Sequence, residues 1–284
     1  MTYQLAVLGD PIAHSLSPQI HTQFAAQAGI SAQYAKRHVL AKDFDQVVKD
    51  FFAQGGKGLN VTVPHKQRAF ALATSCSQAA TLARAVNTLL INESGELHGE
   101  NTDGYGLLRD LQHNLHWQIE NARILVLGAG GAAAGVIADL LSAEPKSICI
   151  ANRTVERATD IVAGHQDQRL SALSLTELVG CGAFDLVISA SSAGLQESGS
   201  DSAQAYLPAS LKHSETCCYD MIYGRPTPLL NWAADLPRAQ STGGLGMLVE
   251  QAARSFELWF GVKLDTKPVI KQISVWLESQ ANNR

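Results

Sequence analysis

Short apolar runs alternate with amphipathic stretches along most of this chain, and the alternation predicts strands separated by helices. Leu5-Ala-Val-Leu8 reads as a first strand. Ser17-Pro18 reads as an N-cap and first helical position, opening a helix that runs to about Ala28 and ends at Gly29. Gln33 to Leu40 is a second strand, and Lys42 to about Gln54 a helix closed by Gly55-Gly56. Leu59-Asn-Val-Thr-Val63 is a third strand, with Pro64 opening the next helix. Ala85 to Ile91 is a fourth strand, and Asn92-Glu-Ser-Gly95 turns the chain. A break at Asn101-Thr102-Asp103-Gly104 precedes a helix to roughly Leu115. The pattern resumes with strands at Ile124 to Leu127, Ser147 to Ala151, Asp185 to Ser189 and Cys217 to Ile222. A glycine loop, Thr242-Gly-Gly-Leu-Gly246, leads into a long amphipathic helix from Met247 to about Phe260, in which Trp259 and Phe260 read as core. Such alternation argues for an α/β fold with parallel sheets and helices on both faces. One doubly wound domain does not use all of this chain. Two α/β domains flanking a cleft are therefore expected, over residues 1–103 and 104–240, with the helices of 241–284 returning to the first.

Between the apolar runs at Ile124 and Ser147 lie Gly128, Ala129, Gly130, Gly131, Ala132 and Ala133. Strand, glycine turn, helix and second strand in that order are the signature of a Rossmann-type dinucleotide unit. Gly128 would allow the tight turn, Gly130 the close approach of a pyrophosphate, and Ala133 takes the third position. The helix N-terminus then supplies free N–H groups to the phosphates. Taken alone, the same glycines also fit plain helix–strand packing. The end of the second strand discriminates further. An acidic residue there would grip the ribose of NAD, but this chain carries Asn152, Arg153 and Thr154, with Arg157 beyond. A guanidinium pairs with a 2′-phosphate that a carboxylate would repel, so the expected cofactor is NADP and the expected chemistry hydride transfer.

Composition narrows the field. A chain of 284 residues with 46% hydrophobic and 17% charged positions is globular, and a net charge of −4 argues against nucleic acid as a partner. Cys76, Cys149, Cys181, Cys217 and Cys218 form no C-x-x-C pair and are odd in number, so reduced thiols in a cytoplasmic protein are expected, with no metal site. The N-terminus reads as a strand and not as a signal peptide, and no membrane association is expected.

Active sites of open α/β sheets gather at the carboxyl ends of strands. Ser15 and Ser17 follow the first strand there, Asn60 and Thr62 alternate on the third, Asn87 ends the fourth, and Asn101 and Asp103 flank the break. Several neutral donors and one carboxylate suit a small polyhydroxylated molecule. Lys66 sits in a helical first turn, where the dipole disfavours a cation and lowers its pKa toward the range of proton exchange. An ammonium near a ketone can protonate the oxygen while a hydride reduces the carbon. A carboxylate such as Asp103 would orient the lysine, raise its pKa again and titrate with it as a pair. On spacing alone the reading of Lys66 as a solvated surface lysine wins over the catalytic one, and His65 and His14 compete for the acid–base role.

Gly9-Asp-Pro-Ile-Ala-His-Ser-Leu-Ser-Pro18, Gly58-Leu-Asn-Val-Thr-Val-Pro-His-Lys66, Ala85-Val-Asn-Thr88 and Asn101-Thr-Asp-Gly104 resemble the shikimate dehydrogenase family. So do Gly128–Ala132, Asn152-Arg-Thr154, Tyr219-Asp-Met-Ile-Tyr223 and Gly244-Leu-Gly-Met-Leu-Val-Glu-Gln-Ala252, in order along nearly the whole chain. The resemblance implies a substrate domain and an NADP-binding domain around a cleft, and reversible NADPH-dependent reduction of 3-dehydroshikimate to shikimate in aromatic amino acid biosynthesis. It implies that Lys66 and Asp103 are catalytic and that Ser15, Ser17, Asn60, Thr62, Asn87, Tyr223 and Gln251 hold substrate. It assigns the Gly128–Ala132 turn to the pyrophosphate and Asn152, Arg153, Thr154 and Arg157 to the 2′-phosphate end. Met221 and Gly244 would lie by the nicotinamide, with Ala190-Ser-Ser192 also touching cofactor. The partners are then small molecules, and the chain a monomer or homodimer. Arg84, Gln78 and Thr242-Gly243 depart from the family pattern, which more usually has a glycine, an acid and an Asp-Gly at those places. Rival readings are a quinate/shikimate dehydrogenase with relaxed cofactor use and a non-catalytic dinucleotide sensor; the sensor would be expected to lack Lys66 or Asp103.

The arginine pair generates a first test. Arg153→Ala should weaken NADPH binding by about 2 kcal/mol and leave NADH binding nearly unchanged, as measured by fluorescence titration of each nucleotide.

Overall fold

Two six-stranded sheets form, and they differ in kind. The computed structural model describes residues 1–190, 207–211, 213–234 and 241–282. The first part of the chain comprises β1 (Tyr3–Gly9), α1 (Ser17–Ala28), β2 (Ala32–His38), α2 (Phe44–Ala53), β3 (Gly58–Val61), α3 (Lys66–Leu72), β4 (Ser75–Cys76), α4 (Gln78–Ala83), β5 (Thr88–Ile91) and β6 (Leu97–Glu100). Its sheet runs β2-β1-β3-β5-β6-β4. β1 pairs in parallel with β2 and β3, but β5 is antiparallel to both β3 and β6. The expectation of a wholly parallel sheet is corrected here. The connection from β5 to β6 is too short for a crossover, so the two strands fold back as a hairpin. Asn92 closes the turn by accepting the N–H groups of Ser94 and Glu96 at 3.0 and 2.9 Å.

Two local expectations also change. The N-cap of α1 is Leu16, and Ser17 is the first helical residue, its hydroxyl turned toward Ser15. β3 ends at Val61, so Thr62 belongs to the turn that His65 closes by donating its N–H to the Thr62 carbonyl. Helix α3 therefore begins at Lys66, after Pro64.

The chain continues through α5 (Asp103–Arg109), β7 (Arg123–Leu127), α6 (Gly131–Ser142), β8 (Ser147–Asn152), α7 (Val155–His165), β9 (Leu170–Ser174), β10 (Leu186–Ser189), β11 (Cys217–Asp220), α8 (Pro228–Ala234), β12 (Ser241–Gly243), α9 (Leu245–Phe260) and α10 (Lys267–Asn282). The second sheet is parallel throughout, in the order β12-β11-β10-β7-β8-β9. The winding direction reverses between β7 and β10, which makes the switch point where ligands of such sheets bind. Its central strands β7, β8 and β10 are nearly continuous runs of buried apolar residues, as burial on both faces requires.

Helices join the two halves. Phe256, Val249 and Ala252 of α9 and Val269 and Ile273 of α10 share one core with Ile20 and Phe24 of α1. Helix α5 packs between α9 and α6, and α4 also lies on α6. Asp110 follows α5 and accepts the Tyr219 hydroxyl at 2.7 Å, while the Met247 N–H reaches that hydroxyl at 3.2 Å. One carboxylate thus ties β11 to the first turn of α9. Among the described residues, no helix is long and apolar enough to cross a membrane.

Gly58 carries the seam between β3 and α9, because a Cβ there would overlap the indole of Trp259, which donates to the Leu89 carbonyl at 3.3 Å. Gly58→Ala should lower stability by about 2 kcal/mol in urea denaturation, as overpacking against a rigid ring does.

Candidate active site

Lys66 and Asp103 meet where the two halves touch. Lys66 arrives as the first residue of α3 and Asp103 as the first of α5, and Lys66 Nζ donates to Asp103 Oδ2. Their side chains are only 16% and 8% exposed, so the pair is largely withdrawn from bulk water. The solvated-lysine reading is thereby excluded. The second oxygen of Asp103 accepts from Asn87 Nδ2 at 2.8 Å, and its backbone N–H donates to Asn101 Oδ1 at 3.1 Å. Gly135 of α6 faces this turn closely: a Cβ there would lie 3.4 Å from Asp103 Oδ2 and 3.1 Å from Asn101 Nδ2. The ion pair therefore stands about one helical turn from the glycine turn that opens α6. His65 is not available for proton exchange, since it is buried, stacks on Phe44 and bonds the Val39 carbonyl through Nε2 at 2.7 Å. His14 is exposed.

The expected cofactor residues share one edge of the parallel sheet. Gly128 follows β7 with φ +108°, a conformation that a Cβ would strain. Gly130 caps α6, and a Cβ at Gly130 or Gly131 would meet open space, as a site for a close-lying phosphate requires. Ala129 and Ala132 are half-buried beside them. Ala190 follows β10 and donates to the Leu127 carbonyl, Met221 follows β11 and donates to the Ser189 carbonyl, and Gly244 bonds the Ile222 carbonyl at the start of α9. Ser191 and Ser192 lie outside the described residues. Asn152 ends β8 and donates to the Thr154 carbonyl at 2.8 Å, shaping the entry to α7. Arg153 and Arg157 stand exposed there, with no ion pair among the described residues. An open glycine turn and two unpaired guanidiniums fit a phosphorylated dinucleotide.

Of the expected substrate residues, Asn87 and Gln251 lie beside the ion pair, while Ser15, Ser17 and Tyr223 meet around the start of α1. Ser15 donates to Ser17 Oγ at 3.1 Å, and the Leu16 N–H reaches the half-buried Tyr223 hydroxyl, whose pKa burial raises. The Thr62 hydroxyl makes no hydrogen bond among the described residues. Gln251 of α9 turns Oε1 toward Asn87 Nδ2 and Thr102 Oγ1 at 3.5 and 3.4 Å. Asn60 and Asn87 are different: the N–H groups and carbonyl oxygen of Asn87 are already engaged by Asp103, Thr102 and Thr88, and those of Asn60 by Tyr34, Thr88, Ser255 and the Asn87 carbonyl. Asn87 orients the carboxylate first. Tyr34, Thr88, Thr102 and Ser255 join this polar cluster, and the strand pattern did not point to them. Among the departures, Arg84 ends α4 with φ +48°, the left-handed turn that glycine adopts at lower cost. Gln78 is the exposed first residue of α4, and Thr242 lies on the edge strand β12. The five cysteines are free, and burial pushes the Cys149 and Cys217 thiols up to about 11.

A parallel dinucleotide-type sheet, a second α/β unit and a shielded lysine–carboxylate pair at their junction define a two-part nicotinamide-dependent oxidoreductase. Three family profiles match along the chain: "Shikimate dehydrogenase substrate binding domain" over residues 7–89, "Shikimate / quinate 5-dehydrogenase" over 110–210 and "Shikimate 5'-dehydrogenase C-terminal domain" over 244–273. With these matches, and with curated relatives at this level of identity, the chain belongs to the shikimate dehydrogenase family. It is 47% identical over 272 residues to the shikimate dehydrogenase (NADP(+)) of Alkalilimnicola ehrlichii, covering 95% of this chain and 98% of that one. It is 44% identical to the enzyme of the same name from Methylococcus capsulatus, covering 94% and 95%. Among solved structures, the Thermus thermophilus shikimate 5-dehydrogenase in complex with NADP(H) and shikimate superposes with a TM-score of 0.81 at 32% identity, covering 95% of this chain and 97% of that one.

Asp139, on the same face of α6 as Gly135, rests its carboxylate against Gly104 with no hydrogen bond to its side chain among the described residues. Burial raises its pKa. Its protonated form is therefore favoured in the fold, so its contribution to stability is full below the ordinary carboxylate pKa and is lost as pH rises through the raised value. Asp139→Asn should accordingly gain melting temperature over the parent on going from about pH 4 to about pH 8. A difference between the two proteins that is constant across that range in thermal melts would exclude the assignment.

Proposed function

We propose that this chain catalyses the NADPH-dependent, reversible reduction of 3-dehydroshikimate to shikimate, on the route to chorismate and the aromatic amino acids. The observation that carries the reading is the shielded Lys66–Asp103 pair one helical turn from the glycine turn of α6. Membership of the family, the names of its relatives and the ligands of the Thermus thermophilus structure support the substrate and the cofactor. When bound, NADPH supplies the hydride. Lys66 gives its proton to the carbonyl oxygen as the carbon is reduced, so that C=O becomes CH–OH, and in reverse it takes the hydroxyl proton. Asp103 holds the ammonium in place and balances its charge. Ser15, Ser17, Thr62, Tyr223 and Gln251 receive the substrate's hydroxyls and carboxylate, and Asn60 and Asn87, whose amides are already engaged, steady Asp103 beside them. Gly128–Ala132 takes the pyrophosphate, Asn152, Arg153, Thr154 and Arg157 the 2′-phosphate end, and Ala190, Met221 and Gly244 the nicotinamide side.

In this reading residues 1–103 with 241–284 form the substrate half and 104–240 the cofactor half. The enzyme works in the cytoplasm as a monomer or homodimer on small molecules, without nucleic acid or membrane. Arg153 and Arg157, exposed and without an ion pair among the described residues, favour NADP over NAD.

The decisive experiment follows absorbance of the reduced nicotinamide with shikimate and NADP as the only reactants. The parent enzyme should turn over, and Lys66→Ala should lose about 100-fold or more in kcat while binding NADPH within about twofold of the parent. A variant with undiminished turnover would move the proton role away from Lys66.

A further inference from the structure

Four hydrogen bonds run head to tail through the first sheet to the carboxylate of Asp103, and their protons all point the same way. Tyr34 on β2 donates its hydroxyl to Asn60 Oδ1 at 2.7 Å. Asn60 Nδ2 donates to Thr88 Oγ1 at 3.1 Å, and Thr88 Oγ1 donates to Asn87 Oδ1 at 2.9 Å. Asn87 Nδ2 then donates to Asp103 Oδ1 at 2.8 Å, the oxygen that does not face Lys66.

The direction follows from which groups have protons to give. Asn60 Nδ2 also lies 3.2 Å from the Asn87 carbonyl, so flipping this amide would set two carbonyl oxygens against each other. Asn87 Oδ1 accepts the Thr102 backbone N–H at 2.9 Å, which fixes the second amide. The neighbouring branch from Asn60 Nδ2 to Ser255 Oγ, at 3.0 Å, ends on the Gln251 backbone carbonyl, and Ser255 Oγ, 2.8 Å from Thr88 Oγ1, shares with Asn87 Oδ1 the single Thr88 proton. Asn60, Thr88 and Asn87 are 7%, 0% and 3% exposed, so water does not compete with the chain. The Tyr34 ring is itself clamped by stacking on His21, at 4.3 Å and 7° between planes.

We propose that Thr88 and Tyr34 are positioning residues for the reaction, holding the Asp103 carboxylate toward Lys66 through this chain of amides and hydroxyls. The proposal rests on the proton-transfer role of Lys66 and Asp103 given above. Neither Thr88 nor Tyr34 touches that pair. Each donor polarises the next, so removing one weakens the bonds downstream, down to the one from Asn87 to Asp103. Tyr34 reaches Asp103 by way of Thr88, which makes the two residues interdependent.

A double-mutant cycle on Tyr34→Phe and Thr88→Val tests this, using the intact enzyme with shikimate and NADP and with NADPH affinity measured alongside. Thr88→Val should lower kcat about tenfold and leave NADPH affinity in place, and Thr88→Ser, which keeps the hydroxyl, should recover most of the loss. Tyr34→Phe should lower kcat about threefold in the parent and have almost no further effect in Thr88→Val. If Thr88→Val fails to bind NADPH, Thr88→Ala takes its place in the cycle. Effects that multiply independently, a loss confined to KM, or a serine no better than valine would each overturn the proposal. An inactive parent enzyme would sink the shikimate reading and this one with it; an active parent with independent variants sinks the relay alone.

Discussion

An ammonium and a carboxylate that are mostly cut off from water have to be matched, and the arrangement around Lys66 and Asp103 answers to that constraint. Desolvating two charges costs several kcal/mol, which their attraction offsets only when the remaining polar atoms are also satisfied. On the carboxylate side they are: Asn87 takes the second oxygen of Asp103 and Asn101 its backbone N–H. The requirement reaches outward. Helix α3 must begin at Lys66, the chain must break after β6 so that α5 begins at Asp103, and α6 must present a bare Cα at Gly135 for the pair to lie against it.

Much of this was legible in the chain itself, and the limits are physical. The parallel sheet was readable because strands buried on both faces are unbroken apolar runs, and because Gly128 marks a turn that needs a positive φ. The short strands β4, β6, β9 and β12 carry no such run: Leu97-His-Gly-Glu100 is a strand through its pairing with β5, which no local pattern announces. The antiparallel β5–β6 hairpin was visible only as a turn at Asn92. At the site, Lys66 and Asp103 stood out by residue type and position, whereas Thr88 and Ser255 did not. A hydroxyl in an apolar strand and another on a helix 167 positions away acquire meaning only when the fold sets them 2.8 Å apart.

The two halves are not merely adjacent. Helix α9 starts at the carboxyl end of the parallel sheet, where Gly244 bonds the Ile222 carbonyl, passes the turn that carries Asp103 at Gln251 and Ser255, and ends under the first sheet at Trp259. Asp110 and Tyr219 hold its beginning against β11. A single helix therefore touches the carboxyl end of the second sheet, the Lys66–Asp103 turn and the floor of the first sheet, and fixes their spacing along its own length.

The free cysteines carry a separate consequence. Sulfur attacks electrophiles as the thiolate, and burial, which pushes the Cys149 and Cys217 thiols up to about 11, holds both in the protonated form at neutral pH. Peroxides and alkylating metabolites thus find almost no nucleophile at these two positions. The tight strand packing that makes the dinucleotide sheet also renders its sulfur chemically quiet, without a disulfide or a metal to protect it.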